Sequence, residues 1–172
     1  MNKVLTDIVQ GVTDKVPAQN KEQFDRVVLA GKKILFDPKF HANMELVKNP
    51  ESRKNPVETI STGVAGLMEL IYLQSNKKYA PNAVIMGGCV LMCEVLDFAE
   101  RAYGIQIDNQ LVANTWKLTM DKVMKRLGIT PEALQQAIQK GAKEIQDHQA
   151  GLSPQQAPQQ AQQPAGILGV NQ

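Results

Sequence analysis

Histidine, cysteine and aromatic residues are all scarce in this chain, and each scarcity narrows the chemistry open to it. The 172 residues include two histidines, two cysteines and an aromatic fraction of 5%. Histidine is the commonest general base near neutral pH, and neither His41 nor His148 lies near Cys89 or Cys93, the thiols that would serve as nucleophiles. The expectation is a protein that is not an enzyme. Cys89 and Cys93 stand four apart in one apolar helical stretch, poorly placed to bridge each other, and read as buried thiols of a reducing compartment. A tetrahedral metal site would need two further ligands, and no second cysteine pair or histidine pair occurs at ligand spacing. The Glu-x-x-His pairs of a di-metal bundle are missing too. No cofactor and no metal are expected.

Charge of one sign is also lacking. The 19 basic and 17 acidic residues are interspersed and leave a formal net charge of +2, so binding to nucleic acid should be weak or absent. The most apolar stretches, Ile60 to Leu73 and Ala83 to Cys93, fall short of the roughly 20 residues that span a bilayer. The opening MNKVLTDIVQ has neither the apolar run nor the cleavage site of a secretory signal. Phosphate-cradling loops are missing, because Gly63, Gly66 and the pair Gly87-Gly88 fall inside helical patterns instead of after a strand.

What the chain has is helix punctuation. Residues 1–17 read as an amphipathic helix with Leu5, Ile8, Val9, Val12 and Val16 on one face, closed by Pro17. It could dock on its own domain, on another subunit or on a membrane surface. A second helix spans Lys21 to Phe36, burying Phe24, Val27, Val28, Gly31, Ile34 and Leu35. Asp37-Pro38 then caps a shorter helix running to about Lys48, and NPESRKN reads as a polar loop. Asn55, Pro56 and Glu58 start a helix to about Gln74, because they offer acceptors and a carboxylate to its N-terminal donors. Pro81 opens another that ends at Gly104, a residue suited to a left-handed cap, and Asp108 to Gly128 repeats the pattern. Along that helix Val112, Trp116, Met120, Val123 and Leu127 form the apolar line. Thr130-Pro131-Glu132 starts a last, more polar helix that frays near Gln149.

The expected fold is therefore all-α, a compact bundle of about six helices with a disordered Gln/Pro-rich C-terminal tail. Residues 1–17 form the amphipathic helix, 18–150 the helical core and 151–172 the tail. The tail's PQQAPQQAQQP offers nothing to bury. Its tip places Ile167, Leu168 and Val170 on a flexible arm, a candidate docking element for a partner groove. Gly63, Gly66, Gly87 and Gly88, together with Ser61, Ala65 and Ala83, read as helix-packing positions. An internal crossing or self-association would explain them equally. Glu94 and Asp97 lie one turn before Arg101 and read as a solvated or paired face. Glu69, on an apolar helix, is the carboxylate with most claim to a function.

From VVLAGKKILFDP through GVAGLMELIYLQSN to NAVIMGGCVLMCEVLDFAERAYG, the chain resembles small helical proteins encoded among the virion genes of tailed bacteriophages. The resemblance covers about residues 21–139, and the Gln/Pro-rich end with its Gly-Ile-Leu-Gly tip also resembles the ends of phage particle proteins. These are packing motifs, with no catalytic residues to carry over. The resemblance implies a particle component, present in the host cytoplasm during assembly and then in the virion, with packaging inside the particle and ejection as one course open to it. Its partners would be other virion proteins and further copies of itself. Two alternatives are a membrane-active protein that inserts during genome entry, with Glu69 facing a polar lumen, and a cytoplasmic adaptor using basic residues between Lys48 and Lys54 and at Lys77-Lys78.

Overall fold

Short polar side chains and prolines decide where most helices of this protein begin. The structure, a computed structural model, describes residues 1–41 and 44–128, and every regular element among them is helical. Helix α1 (Lys3–Asp14) is capped by Asn2, whose Oδ1 accepts the Leu5 N–H at 3.0 Å. After a 3-10 turn at Ala18–Asn20, α2 (Lys21–Leu35) buries Phe24, Val27 and Gly31. Asp37 accepts the Lys39 N–H at 2.9 Å and starts α3 (Pro38–His41).

The chain does not continue from there as one helix to Lys48. Met44 is extended at φ −63° and ψ 133°, and a separate single turn, α4 (Glu45–Lys48), follows. The break lets Leu46 enter the core at 2% exposure while Phe40 remains 53% exposed. NPESRKN also departs from the expected loop. Pro50–Lys54 forms a 3-10 turn, started by Asn49, whose Oδ1 accepts the Glu51 N–H at 3.0 Å. The cap-then-proline order of Asp37 and Pro38 at α3 is repeated here by Asn49 and Pro50, and Pro56 ends the turn by keeping Asn55 out of the helical region.

The three long helices follow. Asn55 accepts the Glu58 N–H at 3.4 Å at the start of α5 (Pro56–Gln74). Helix α6 (Pro81–Tyr103) ends at Gly104, where φ is +68°, and Ile105 just beyond packs back on the core. Asp108 caps α7 (Asn109–Leu127) by accepting the Leu111 N–H at 2.7 Å, and Gly128 closes it at φ +65°. Both glycines occupy the left-handed region that a Cβ disfavours.

Helix α6 is the centre, since 12 of its 23 residues are buried. Helices α1 and α2 pack on it directly, α5 packs on it as well, and α7 lies against α5. Leu91, Met92 and Leu96 of α6 are fully buried, each contributing about 1.5–3 kcal/mol through removal from water. The amphipathic α1 docks on its own chain, with Leu5 fully buried.

The buried line of α7 differs from the apolar one expected. Thr115 and Thr119 are fully buried, whereas Trp116 and Met120 are only half-buried. Each threonine hydroxyl donates to the carbonyl one turn back, Thr115 to Leu111 and Thr119 to Thr115, both at 2.7 Å. With the hydroxyl satisfied locally, threonine packs as a compact side chain. Ser61 of α5 adds a third bond, donating to the Thr115 carbonyl at 2.9 Å. The helix expected from Thr130 onward and the tail lie outside the described residues.

Candidate functional site

The four glycines expected at helix crossings separate into two pairs. Gly87 and Gly88 are buried in α6. A Cβ at Gly87 would come within 2.5 Å of Val27 Cγ1, and one at Gly88 would run into the Met68 side chain. These two let α2 and α5 approach α6 closely. On α5, a Cβ at Gly63 would meet no atom within 4 Å, and one at Gly66 only Arg126, at 3.8 Å. Gly63 therefore packs against no other helix.

Gly63 and Gly66 instead lie along a groove of about 540 Å³ beside α5. Its walls include Ile34 and Leu35 of α2, Leu46 of α4, Leu67 and Leu70 of α5 and Val95 of α6. Along α5 the lining residues Thr59, Thr62, Gly63, Gly66 and Leu70 recur at helical spacing, so one face of that helix is open. The half-exposed Phe40 belongs to the same lining.

Polar groups are few in the groove and their donors are engaged. Ser52 Oγ donates to Glu45 Oε2 at 3.4 Å, Thr59 Oγ1 to the Ser52 carbonyl at 2.9 Å and Thr62 Oγ1 to the Glu58 carbonyl at 2.8 Å. Glu45 is the charged residue of the lining. The groove thus presents an apolar trough with acceptors and one carboxylate at its polar end, which suits an apolar segment carrying a basic group.

The carboxylates singled out in the sequence all have partners. Glu69 Oε2 pairs with Arg126 at 2.8 Å across α5 and α7. Glu94 pairs with Lys32 of α2 at 2.8 Å, not with Arg101. Asp97 is 3% exposed. It meets the Met1 ammonium at 3.0 Å and Arg101 one turn on. The basic residues after Lys48 are committed to the fold. Arg53 stacks 3.9 Å over the Tyr103 ring and donates to the Leu46 and Val47 carbonyls, and Lys54 pairs with Glu51. His41 packs edge-on against Phe98, with centroids 4.8 Å apart.

A second opening, of about 360 Å³, lies where α1, α6 and α7 meet. Cys89 and Met86 of α6 line it, with Val12 and Lys15 at the α1 side and Trp116 from α7. The neighbouring Cys93 side chain holds the Cys89 thiol below its ordinary range, and Cys89 together with burial pushes Cys93 far above it. Among the described residues no three His, Cys, Asp or Glu side chains gather as a metal set.

Sequence reading named the small residues but could not tell an open face from a crossing, because both use the same spacing. It missed the groove, whose walls come from five helices between α2 and α6. The tail residues Ile167, Leu168 and Val170 lie outside the described residues. No family model matches the chain, and neither does any curated protein or solved structure.

Proposed function

We propose that this protein is a non-enzymatic structural and interaction component of a bacteriophage particle, and that the groove beside α5 receives a helix of another particle protein. The groove is the observation that carries the reading. Its floor is a helix face with no Cβ at Gly63, which admits a second helix backbone at close range. Glu45 at the polar end favours a partner helix with a lysine or arginine beside its apolar stripe. The resemblance to virion proteins supplies the setting, and the tail tip would be a second point of attachment.

Gly63→Trp would place a bulky side chain in the groove from a position whose Cβ meets no atom within 4 Å. The expected result is an unchanged melting temperature with loss of incorporation into particles. Wild-type incorporation of a folded Gly63→Trp protein would overturn the groove as the docking site. Deleting residues 153–172 tests the tail separately, and normal incorporation of that variant would remove the tip from the assembly.

A second reading rests on α6. It is the one helix among the described residues that is long and apolar enough to cross a membrane, although 72% of its apolar window is buried in the fold. A membrane-active protein would have to open α1, α2 and α5 away from it. Failure to release dye from liposomes at any pH or lipid composition would exclude this.

A further inference from the structure

The two most exposed large apolar side chains among the described residues, Leu29 at 57% and Phe36 at 54%, belong to α2 and its C-terminal cap. They stand at i and i+7 and so share one helix face. Arg26 and Lys33, three before and four after Leu29, complete a stripe in which basic and apolar side chains alternate. This is the outward face of α2, since Phe24, Val27 and Gly31 are buried on the other side. Ile34 and Leu35, which line the groove beside α5, are half-buried and lie toward that buried side. The stripe therefore cannot enter the groove of its own chain, because the helix that carries it is one of the groove's walls.

We infer that the groove beside α5 receives the outward face of α2 from a second copy of this chain. The inference rests on the reading of the groove as a receptor for a helix, and it supplies the occupant. Spacing and charge both match. Leu29 and Phe36 are seven residues apart, about 10 Å of helix, as are Gly63 and Leu70 along the groove. With the two helices parallel, Leu29 settles over Gly63, where no Cβ stands in the way, and Phe36 reaches Leu70. Leu73, 48% exposed and three residues further along α5, extends the apolar surface beside the ring. The same register brings Arg26 to the polar end of the groove, where Glu45 is the carboxylate. Within one chain Arg26 pairs with Glu22, and both side chains are mostly exposed, so exchanging that surface pair for Glu45 costs little. Lys33 lies to one side of the apolar line and keeps its ammonium in water. Face and groove are different surfaces of the chain, so the contact is heterologous, and copies join head to tail into a ring or an open row.

The test is sedimentation of the full chain and of complementary variants. The wild-type mass should rise with concentration, to a fixed ring or without limit. Gly63→Trp blocks the groove and keeps the face, whereas Leu29→Glu spoils the face and keeps the groove. Each alone should stay at the mass of a single chain. Mixed in equal amounts, they should form a pair of one copy each and nothing larger, because one usable face meets one usable groove. Arg26→Glu should weaken association of the wild-type chain by at least about tenfold, and adding Glu45→Arg to the same chain should restore it. An unchanged melting temperature is expected for Leu29→Glu, and Phe36→Glu repeats the test from the other anchor. A wild-type chain that stays single up to about 1 mM overturns the inference, and so does a mixture of the two variants that fails to pair. Incorporation of Gly63→Trp into particles would then still decide, by itself, whether the groove takes a helix of a different protein.

Discussion

Helices α5 and α6 resemble each other in sequence and differ in what surrounds them. Each is long and apolar, each has proline in its first turn, and each carries two glycines. In α6 the glycines face inward and are covered by Val27 and Met68, whereas Gly63 of α5 faces open space. Glycine spacing therefore marks where a backbone can be approached, and the surrounding fold decides whether a helix of the same chain already occupies the place. The comparison gives α6 a structural role and leaves α5 with a face for something else.

The largest contrast should come from leucines on the two helices. Leu91 is fully buried and its side chain fills the space beside Gly31. Leu91→Ala should cost about 2–5 kcal/mol, the usual range for an emptied core site. Leu70 lies along the groove and is only half-buried, so Leu70→Ala should cost less than about 1 kcal/mol. Urea unfolding of both variants checks the pair, and equal losses would erase the distinction between core and groove.

The glycines provide the next test. Gly87→Ala places a methyl against Val27, a β-branched side chain with little rotamer freedom to yield. A loss of about 1–3 kcal/mol is expected. Gly88→Ala meets the Met68 side chain instead, which bends more readily and should reduce the loss. Gly63→Ala runs the other way, with a gain of about 0.5–1 kcal/mol, because it removes backbone entropy in a helix interior and touches nothing. A destabilised Gly63→Ala would show that this face is packed in solution.

Helix starts were legible because capping chemistry is local. Asp37, Asn55 and Asp108 each accept an N–H within three residues, so the sequence window contains both partners. The interruption at Met44 was not legible, since it answers to where Leu46 must go in the tertiary structure. The fully buried Thr115 and Thr119 were hidden by their polar type, which gives no sign that the backbone will satisfy the hydroxyl. Glu69 illustrates the same limit. Its partner Arg126 is 57 residues away, and nothing near Glu69 in sequence announces it. The groove is the least legible feature, because it is the space left between helices and not a pattern in any one of them.

The smallest expected effect belongs to the edge of α5 that meets α7. Lys122 Nζ lies 2.7 Å from Glu58 Oε1, and that ammonium holds the Glu58 carboxyl below its ordinary value against a smaller opposing push from desolvation. A carboxyl whose pKa is lower folded than unfolded contributes stability above the unfolded value and loses it as pH falls through the folded one. Glu58→Gln should therefore melt slightly below the wild-type chain at neutral pH, and the two should converge in acid, below the carboxylate range. Added salt at neutral pH should also narrow the gap, because Glu58 is solvent-exposed and its pairing is screened. A gap that survives both acid and salt would mean that Glu58 acts by packing.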